Sequence, residues 1–209
     1  MSQPYYMKNL FFLIFSVFLF SIPSVGQQFE VGPMVNYDRT SFNVPDSSFI
    51  VIGGPGGGSE GSRTTGFETN FSLGAYGTYY FHEHFGLAAE IYYTETSATE
   101  FQDNVFKSLN IIPYITAELW NTNIYLNLGG GFAYMLDTPE FEGDFSVTDE
   151  AIRTFDIPIK MAVNYRITDI ITIDVGIHTS ATRVVKDEIT RVHHYLGIKV
   201  PLNRILSKG

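Results

Sequence analysis

The stretch F-D-I-P-I-K-M-A-V-N-Y-R, residues 155–166, alternates strictly between apolar and polar side chains. Its odd-numbered positions are all apolar or aromatic, whereas its even-numbered positions include Asp156, Lys160 and Arg166. An alternation of period two predicts a β-strand with one apolar face and one polar face. A tilted strand of this length is also long enough to cross the apolar layer of a membrane.

The same alternation recurs along the chain in eight segments. They are residues 29–38, 69–81, 85–93, 108–119, 124–134, 155–166, 171–178 and 190–200. Every second connection is short, namely 82–84, 120–123 and 167–170, and the connections between them are longer. All the tight turns would therefore lie at one end of the sheet, as in outer-membrane barrels, which have short periplasmic turns and longer external loops.

Residues 1–26 have the features of a secretory signal peptide. Lys8 supplies a positive charge, residues 10–20 form an apolar core, and Pro23 with small residues precedes a mature start near Gln27. The alternative is an uncleaved anchor helix, but the apolar core is short for a helix that spans a membrane. We therefore predict a signal peptide at 1–26 and one barrel domain at 27–209.

The composition argues against several classes of protein. The chain has no cysteine, which leaves no disulfide framework and no thiolate metal site. Its net charge of −9 argues against a nucleic-acid partner, which needs a basic face. Aromatic residues make up 15% of the chain and accompany 19 glycines, a composition typical of β-structure with many turns.

The apolar faces of the eight segments are too bulky to point inward. An eight-stranded barrel has an interior just wide enough for side chains to fill, and a large apolar group at every second position would overfill it. A closed barrel in lipid also pairs every backbone donor and acceptor. The prediction is an all-β fold, an eight-stranded antiparallel up-and-down transmembrane barrel; a secreted soluble barrel of lipocalin type is the alternative.

The polar faces then define a network of charged residues in the lumen. Its predicted members are Glu30, Glu90, Glu118, Asp156, Lys160, Arg166, Asp174, Arg191 and Lys199, together with the histidines His178 and His193. Isolated charges in a narrow lumen are costly, so they should pair. Strand neighbourhood predicts one pair between Lys160 and Asp174 and another between Glu30 and Lys199. A structural plug is favoured over a proton or ion path.

Three prolines conflict with this scheme. Pro33, Pro113 and Pro158 fall inside predicted strands, where proline cannot donate a ladder hydrogen bond. A closed barrel has no edge strand that could tolerate the loss. We therefore expect bulges, or positions nearer to the barrel rim.

With its predicted signal peptide, its eight alternating segments and its short connections at one end of the sheet, the chain resembles the small outer-membrane β-barrel proteins of Gram-negative bacteria. The nearer likeness is to the PorT-like outer-membrane barrel family, and the barrel of OmpX and OmpA is a more distant architectural relative. The resemblance covers about residues 28–202 and is carried by patterns such as F-S-L-G-A-Y-G-T-Y-Y-F (71–81) and Y-L-N-L-G-G-G-F-A-Y (125–134). It implies a location in the cell outer membrane.

The chain departs from such families at its C-terminus. In these families the last strand commonly ends on an aromatic residue, which the assembly machinery reads. Here Y-L-G-I-K-V-P-L (195–202) is followed by residues 203–209, and the chain ends on Gly209. The departure affects how the assembly signal would be presented.

The favoured function is that of a barrel without catalytic activity, whose external loops at 39–68 and 137–152 mediate surface interaction or envelope integrity. The expected partners are outer-membrane lipid and lipopolysaccharide, the assembly machinery and an unknown protein at the loops; we expect a monomer.

No cofactor or metal is predicted. The acidic stretch 137–150 could gather Ca²⁺, and His82 and His84 could bind a metal, but solvated side chains are favoured at both places.

The alternative function is an outer-membrane enzyme that modifies lipid. His178, Ser180 and Asp156 would lie near the external ends of their strands. Parity places His178 and Ser180 in the lumen, where a membrane acyl chain would not reach them. A water-filled pore is excluded by size, since eight strands leave no aqueous channel.

Overall fold

The computed structural model describes residues 28–51, 59–97, 105–137, 154–182 and 190–206, without the side chains of 28, 44–51 and 59–63. The predicted signal peptide at 1–26 lies outside these residues, as does the loop at 137–152 apart from Asp137. None of the described helices is long and apolar enough to cross a membrane.

The described residues form eleven β-strands and one short helix. They are β1 Gln28–Val51, β2 Ser59–Thr64, β3 Glu68–His82, β4 Phe85–Thr96, β5 Phe106–Glu118, β6 Ile124–Gly130, β7 Phe132–Asp137, β8 Phe155–Asp156, β9 Pro158–Thr168, β10 Ile171–Ser180, β11 Thr190–Lys199 and α1 Leu202–Leu206.

All strand pairs are antiparallel, and the sheet closes on itself. β1 pairs with β11, from Met34 opposite Lys199 to Asn43 opposite Thr190. Three barrel strands are interrupted, and each is formed by two consecutive β-strands. They are β2 with β3, which both pair with β1, β6 with β7, which both pair with β5, and β8 with β9, which pair with β7 and β6. The result is an eight-stranded up-and-down barrel, so the predicted architecture is confirmed. We call the end with the connections 83–84, 119–123 and 169–170 the short-turn end, and the opposite end the long-connection end.

The predicted loop at 39–68 is wrong over most of its length. β1 continues to Val51 and forms a hairpin with β2, in which Asn43 lies opposite Thr64 and Val51 opposite Ser59. The glycines and prolines in this stretch suggested a loop. Pairing of two backbones supplies the hydrogen bonds of a hairpin whatever the side-chain pattern, so weak alternation does not prevent strands there.

The three prolines lie where ladder hydrogen bonds are interrupted. Pro158 follows the break at Ile157, and its carbonyl accepts a hydrogen bond from Gly131 N at 3.0 Å. Pro113 lies opposite the break between β6 and β7 at Gly131. The carbonyl of Pro33 accepts from Val200 N at 3.2 Å, just beyond the end of β11. The missing N–H groups therefore fall at irregularities, as expected for proline.

The outer and inner faces of the barrel differ as the alternation predicts. Large apolar side chains cover the outside, with Phe71, Leu73 and Leu128 between 62% and 69% exposed. The buried side chains are mainly polar, charged or tyrosine, with Phe42 and Phe106 packed at 5.5 Å between ring centroids at the long-connection end. The core of this barrel is polar and its surface is apolar.

The orientation of the faces can be tested within β10. Val175 lies on the outer face near the middle of the strand and is 52% exposed. Thr172 is buried in the lumen, where it lines the same small cavity as Glu30. In lipid vesicles, Val175→Arg should lower the free energy of unfolding in urea by about 2–4 kcal/mol, because the charge would lie near the bilayer midplane. Thr172→Arg should cost less, since the polar side chains around Thr172 can accept hydrogen bonds from the new guanidinium.

The control is Val175→Leu, which keeps an apolar group in lipid and should leave the unfolding free energy nearly unchanged. A larger loss for Thr172→Arg than for Val175→Arg would contradict the assignment of the two faces.

Candidate functional site

Four charged side chains meet at the centre of the lumen, and we call them the central quartet: Glu90, Lys160, Asp174 and Lys199. Lys160 Nζ lies 2.6 Å from Glu90 Oε1 and 3.2 Å from Asp174 Oδ2. Lys199 Nζ lies 2.6 Å and 2.5 Å from the same two oxygens. All four side chains are at most 2% exposed. Two positive and two negative charges thus form a closed, balanced network.

The quartet connects opposite walls of the barrel. Lys160, Asp174 and Lys199 come from the adjacent strands β9, β10 and β11, whereas Glu90 comes from β4. Three barrel strands separate β4 from β10 in either direction around the sheet. The predicted Lys160–Asp174 contact is therefore part of a larger network, which links both lysines to a carboxylate across the lumen.

Tyrosines surround the two ammonium groups and fill the space that water would otherwise occupy. Lys199 Nζ donates to the Tyr114 hydroxyl at 3.2 Å, and the Tyr195 hydroxyl donates to Asp174 Oδ1 at 3.1 Å. Lys160 Nζ lies 4.6 Å from the centroid of the Tyr114 ring. Such cation–π contacts strengthen when the cation is desolvated.

A second cluster closes the short-turn end of the lumen. Glu30 Oε1 lies 2.7 Å from Arg166 Nη2 and 2.5 Å from Arg204 Nη2. Arg166 Nη2 also donates to the Tyr80 hydroxyl at 3.0 Å. Beside this cluster is a polar cavity of about 20 Å³, room for about one water molecule. Arg204 comes from α1, and nothing in the strand pattern indicated its role.

The predicted pair between Glu30 and Lys199 is wrong. The Cα partner of Lys199 on β1 is Met34, four positions along the strand from Glu30. The strands of a barrel are tilted and their register is staggered, so the last strand meets the first at an offset. Lys199 therefore joins the quartet, and Glu30 pairs with the two arginines.

A third cluster lies at the long-connection end around Asp156. Asp156 Oδ2 accepts from Ser180 Oγ at 2.6 Å and from Arg191 Nη2 at 3.0 Å. Asp156 Oδ1 accepts from Thr182 Oγ1 at 2.8 Å and from the backbone of Ile157 at 2.7 Å. The carboxylate is thus held by four donors, as expected of a structural anchor.

Asp38 and two histidines form a further polar layer that extends the charge network. Asp38 is fully buried, accepts a hydrogen bond from Ser72 Oγ, and lies 3.0 Å from His193 Nε2. His178 Nδ1 lies 3.2 Å from the Tyr92 hydroxyl. Asp38 is absent from the predicted lumen set, although its even-numbered position on the first segment assigns it to the polar face.

The remaining predicted residue, Glu118, lies at the short-turn end. Its Oε2 is 3.4 Å from His84 Nδ1, and its Oε1 accepts from Asn123 N at 3.1 Å. Glu118 thereby braces two neighbouring turns. Among the described residues, no three or more His, Cys, Asp or Glu side chains are grouped so that they could hold a metal ion.

No protein-family model and no curated protein sequence matches this chain. The chain is similar to the solved structure of Ail from Yersinia pestis in complex with the heparin analogue sucrose octasulfate, with 14% identity over 83% of this chain and 98% of Ail, and a TM-score of 0.47. It is also similar to Neisserial surface protein A, with 16% identity over 84% and 99% of the two chains and a TM-score of 0.45. The N-terminal barrel domain of Pseudomonas aeruginosa OprF is 8% identical over 82% and 99%, with a TM-score of 0.45.

The charge balance of the quartet predicts a specific pattern of double-mutant energies. Lys160→Met and Asp174→Asn should each lower the free energy of unfolding by roughly 3–5 kcal/mol, because each leaves a buried charge unbalanced. The double variant Lys160→Met/Asp174→Asn should lose less than the sum, since Lys199 and Glu90 remain as a balanced pair. Urea unfolding in lipid vesicles measures all three values.

The matched control is the like-charge double variant Lys160→Met/Lys199→Met. It removes the same number of charges but leaves two carboxylates facing each other, so it should be the least stable of the set. Equal stability of the two double variants would show that the quartet does not act as a balanced unit.

Proposed function

We propose that this chain is an integral barrel of the cell outer membrane, without catalytic activity, whose lumen is plugged and whose long-connection end mediates surface interaction or supports envelope integrity. The observation that carries the proposal is the combination of a closed barrel, an apolar outside and a lumen filled by paired charges. A water-soluble protein rarely exposes a large contiguous apolar surface, whereas lipid requires one.

Closure by ion pairs favours a plug over a transport path. The quartet, the Glu30 cluster and the Asp156 cluster lie at successive levels of the lumen and connect opposite or neighbouring walls. Each charge within them has a partner of opposite sign close by. An ion would have to break several buried pairs to pass, and each break is costly.

The arrangement around Ser180 gives no support to acyl-transfer chemistry. A nucleophilic serine needs an adjacent base, usually a histidine that is itself oriented by a third group. Ser180 Oγ instead donates to Asp156, whose carboxylate also binds Arg191 and Thr182. His178 contacts Tyr92 in a different layer of the lumen. These contacts stabilise the barrel wall.

The hairpin of β1 and β2 is a structural candidate for the surface role. β1 has 24 residues, about twice the length of β4 with 12, so its outer part extends past the barrel at the long-connection end. A paired hairpin presents a more rigid surface than a free loop. Several points stay predictions. They are the surface role of residues 138–150 in the acidic stretch, membership of the PorT-like family, the monomeric state, and contacts with lipopolysaccharide and the assembly machinery.

Membrane integration can be measured directly in cells of the source organism. The mature chain should remain in the outer-membrane fraction after a carbonate wash, because a closed barrel is embedded in lipid rather than bound to its surface. Unboiled protein should also migrate faster on a denaturing gel than boiled protein, since the barrel resists detergent. Recovery of the chain in the soluble periplasm would overturn the proposal.

The plug and the surface role can be separated by complementation of a deletion strain. We expect the double variant Lys160→Met/Asp174→Asn to restore growth on detergent as well as the wild type does, because the barrel stays closed and its outer end is unchanged. Replacing residues 44–63 with a two-residue Asn-Gly turn should abolish restoration while leaving the gel-mobility shift intact. Loss of function in the quartet variant alone would favour an ion path instead.

A further inference from the structure

The outer face of the barrel has an apolar groove that extends across the neighbouring strands β3, β1, β11 and β10. Its volume is about 250 Å³, and it is lined by Val35, Tyr37, Phe71, Ile173, Leu196, Gly197 and Ile198. The rings of Tyr37 and Phe71 form one wall, with their centroids 5.5 Å apart. The groove faces outward, so in a membrane it opens toward the acyl chains of lipid.

A basic site lies immediately beyond the groove, toward the long-connection end. Val35 pairs with Ile198, Tyr37 with Leu196 and Arg39 with His194 along the same two strands. Alternate residues share a face, so Arg39 and His194 continue the outward row two positions past Tyr37 and Leu196. Phe67 contacts both side chains, with Arg39 Cζ 4.9 Å from its centroid and the His194 ring at 5.6 Å.

Arg39 differs from the three arginines that lie in the lumen. Arg166, Arg191 and Arg204 each have a carboxylate partner in the lumen. In the part of the chain that the structure describes, no carboxylate forms an ion pair with Arg39, whose contact is the ring of Phe67. A guanidinium at the border of an apolar belt is stabilised by an anion, and it suits phosphate through paired N–H donors.

We propose that the groove and the basic site together bind one acyl lipid of the outer leaflet whose headgroup is an anionic phosphate monoester. The phosphate would lie on Arg39 and His194, and one acyl chain would occupy the groove below Tyr37. Neighbouring residues on a strand are about 3.3 Å apart, so the charged row lies about 7 Å from the groove wall at Tyr37, within the reach of a single lipid. The inference rests on the proposed function, because it requires the barrel to span the membrane.

The test uses the full mature chain in phosphatidylcholine nanodiscs that contain a minor fraction of phosphatidic acid with identical acyl chains. After release into mild detergent, native mass spectrometry measures how many phosphatidic acid molecules each barrel retains. The wild type should retain phosphatidic acid in preference to phosphatidylcholine. Arg39→Gln, which removes the charge, should reduce retention about tenfold, as loss of one charge-assisted contact predicts. Val35→Trp, which fills the groove, should also reduce retention.

Two control variants match these changes elsewhere on the barrel. Lys107→Gln removes an exposed cation at the same end, where it pairs with Asp137 at 3.2 Å, and Ile115→Trp enlarges an exposed apolar residue on β5. Both should retain phosphatidic acid like the wild type. Equal retention by all four variants, or equal retention of the two lipids by the wild type, would overturn this inference.

The gel-mobility shift separates this outcome from failure of the proposed function. A wild type that does not insert into nanodiscs as a heat-modifiable barrel contradicts membrane integration itself. A wild type that inserts but retains no phosphatidic acid contradicts only the lipid site.

Discussion

The structure depends on the balance of two lysines and two carboxylates in the middle of the lumen. Each ammonium group of Lys160 and Lys199 lies within 3.2 Å of both Glu90 Oε1 and Asp174 Oδ2. Removing such charges from water costs several kcal/mol per ion, and this cost is offset only when partners are close and well placed. The four charges therefore stabilise the barrel as a set, because losing any one leaves a buried charge without balance.

The polar core explains why the remaining sequence alternates as it does. With charges and tyrosines inside, each strand presents its apolar residues outside, and a closed ring of backbone hydrogen bonds allows that surface to lie in lipid. The tyrosines supply bulk together with a hydroxyl, so they pack the lumen while hydrogen-bonding the ions. We propose that a lumen filled in this way is a plug and that the function lies on the surface of the molecule.

Different segments of the chain lie at the two ends of the barrel. At the short-turn end, Arg204 of α1 enters the Glu30 cluster, and the Asn203 side chain accepts a hydrogen bond from Val31 N at 3.0 Å and donates to the Phe29 carbonyl. The C-terminal segment thereby covers the part of β1 that β11 does not reach. At the long-connection end, β1 and β2 extend the wall as a hairpin, beside the outward row that contains Arg39.

By itself the sequence determined the number of barrel strands, their order and the face of nearly every side chain. A strand has a side-chain period of two, so parity assigns Lys160 to the lumen and Val175 to the outside without knowledge of any partner. Only the tertiary structure decided which lumen residues meet. Strand tilt and stagger place Lys199 opposite Met34 rather than Glu30, and closure of the sheet brings Glu90 of β4 across to β9 and β11. Contacts across a closed lumen depend on the height of each residue in the barrel, and that height is set by register around the whole ring, which no single segment encodes.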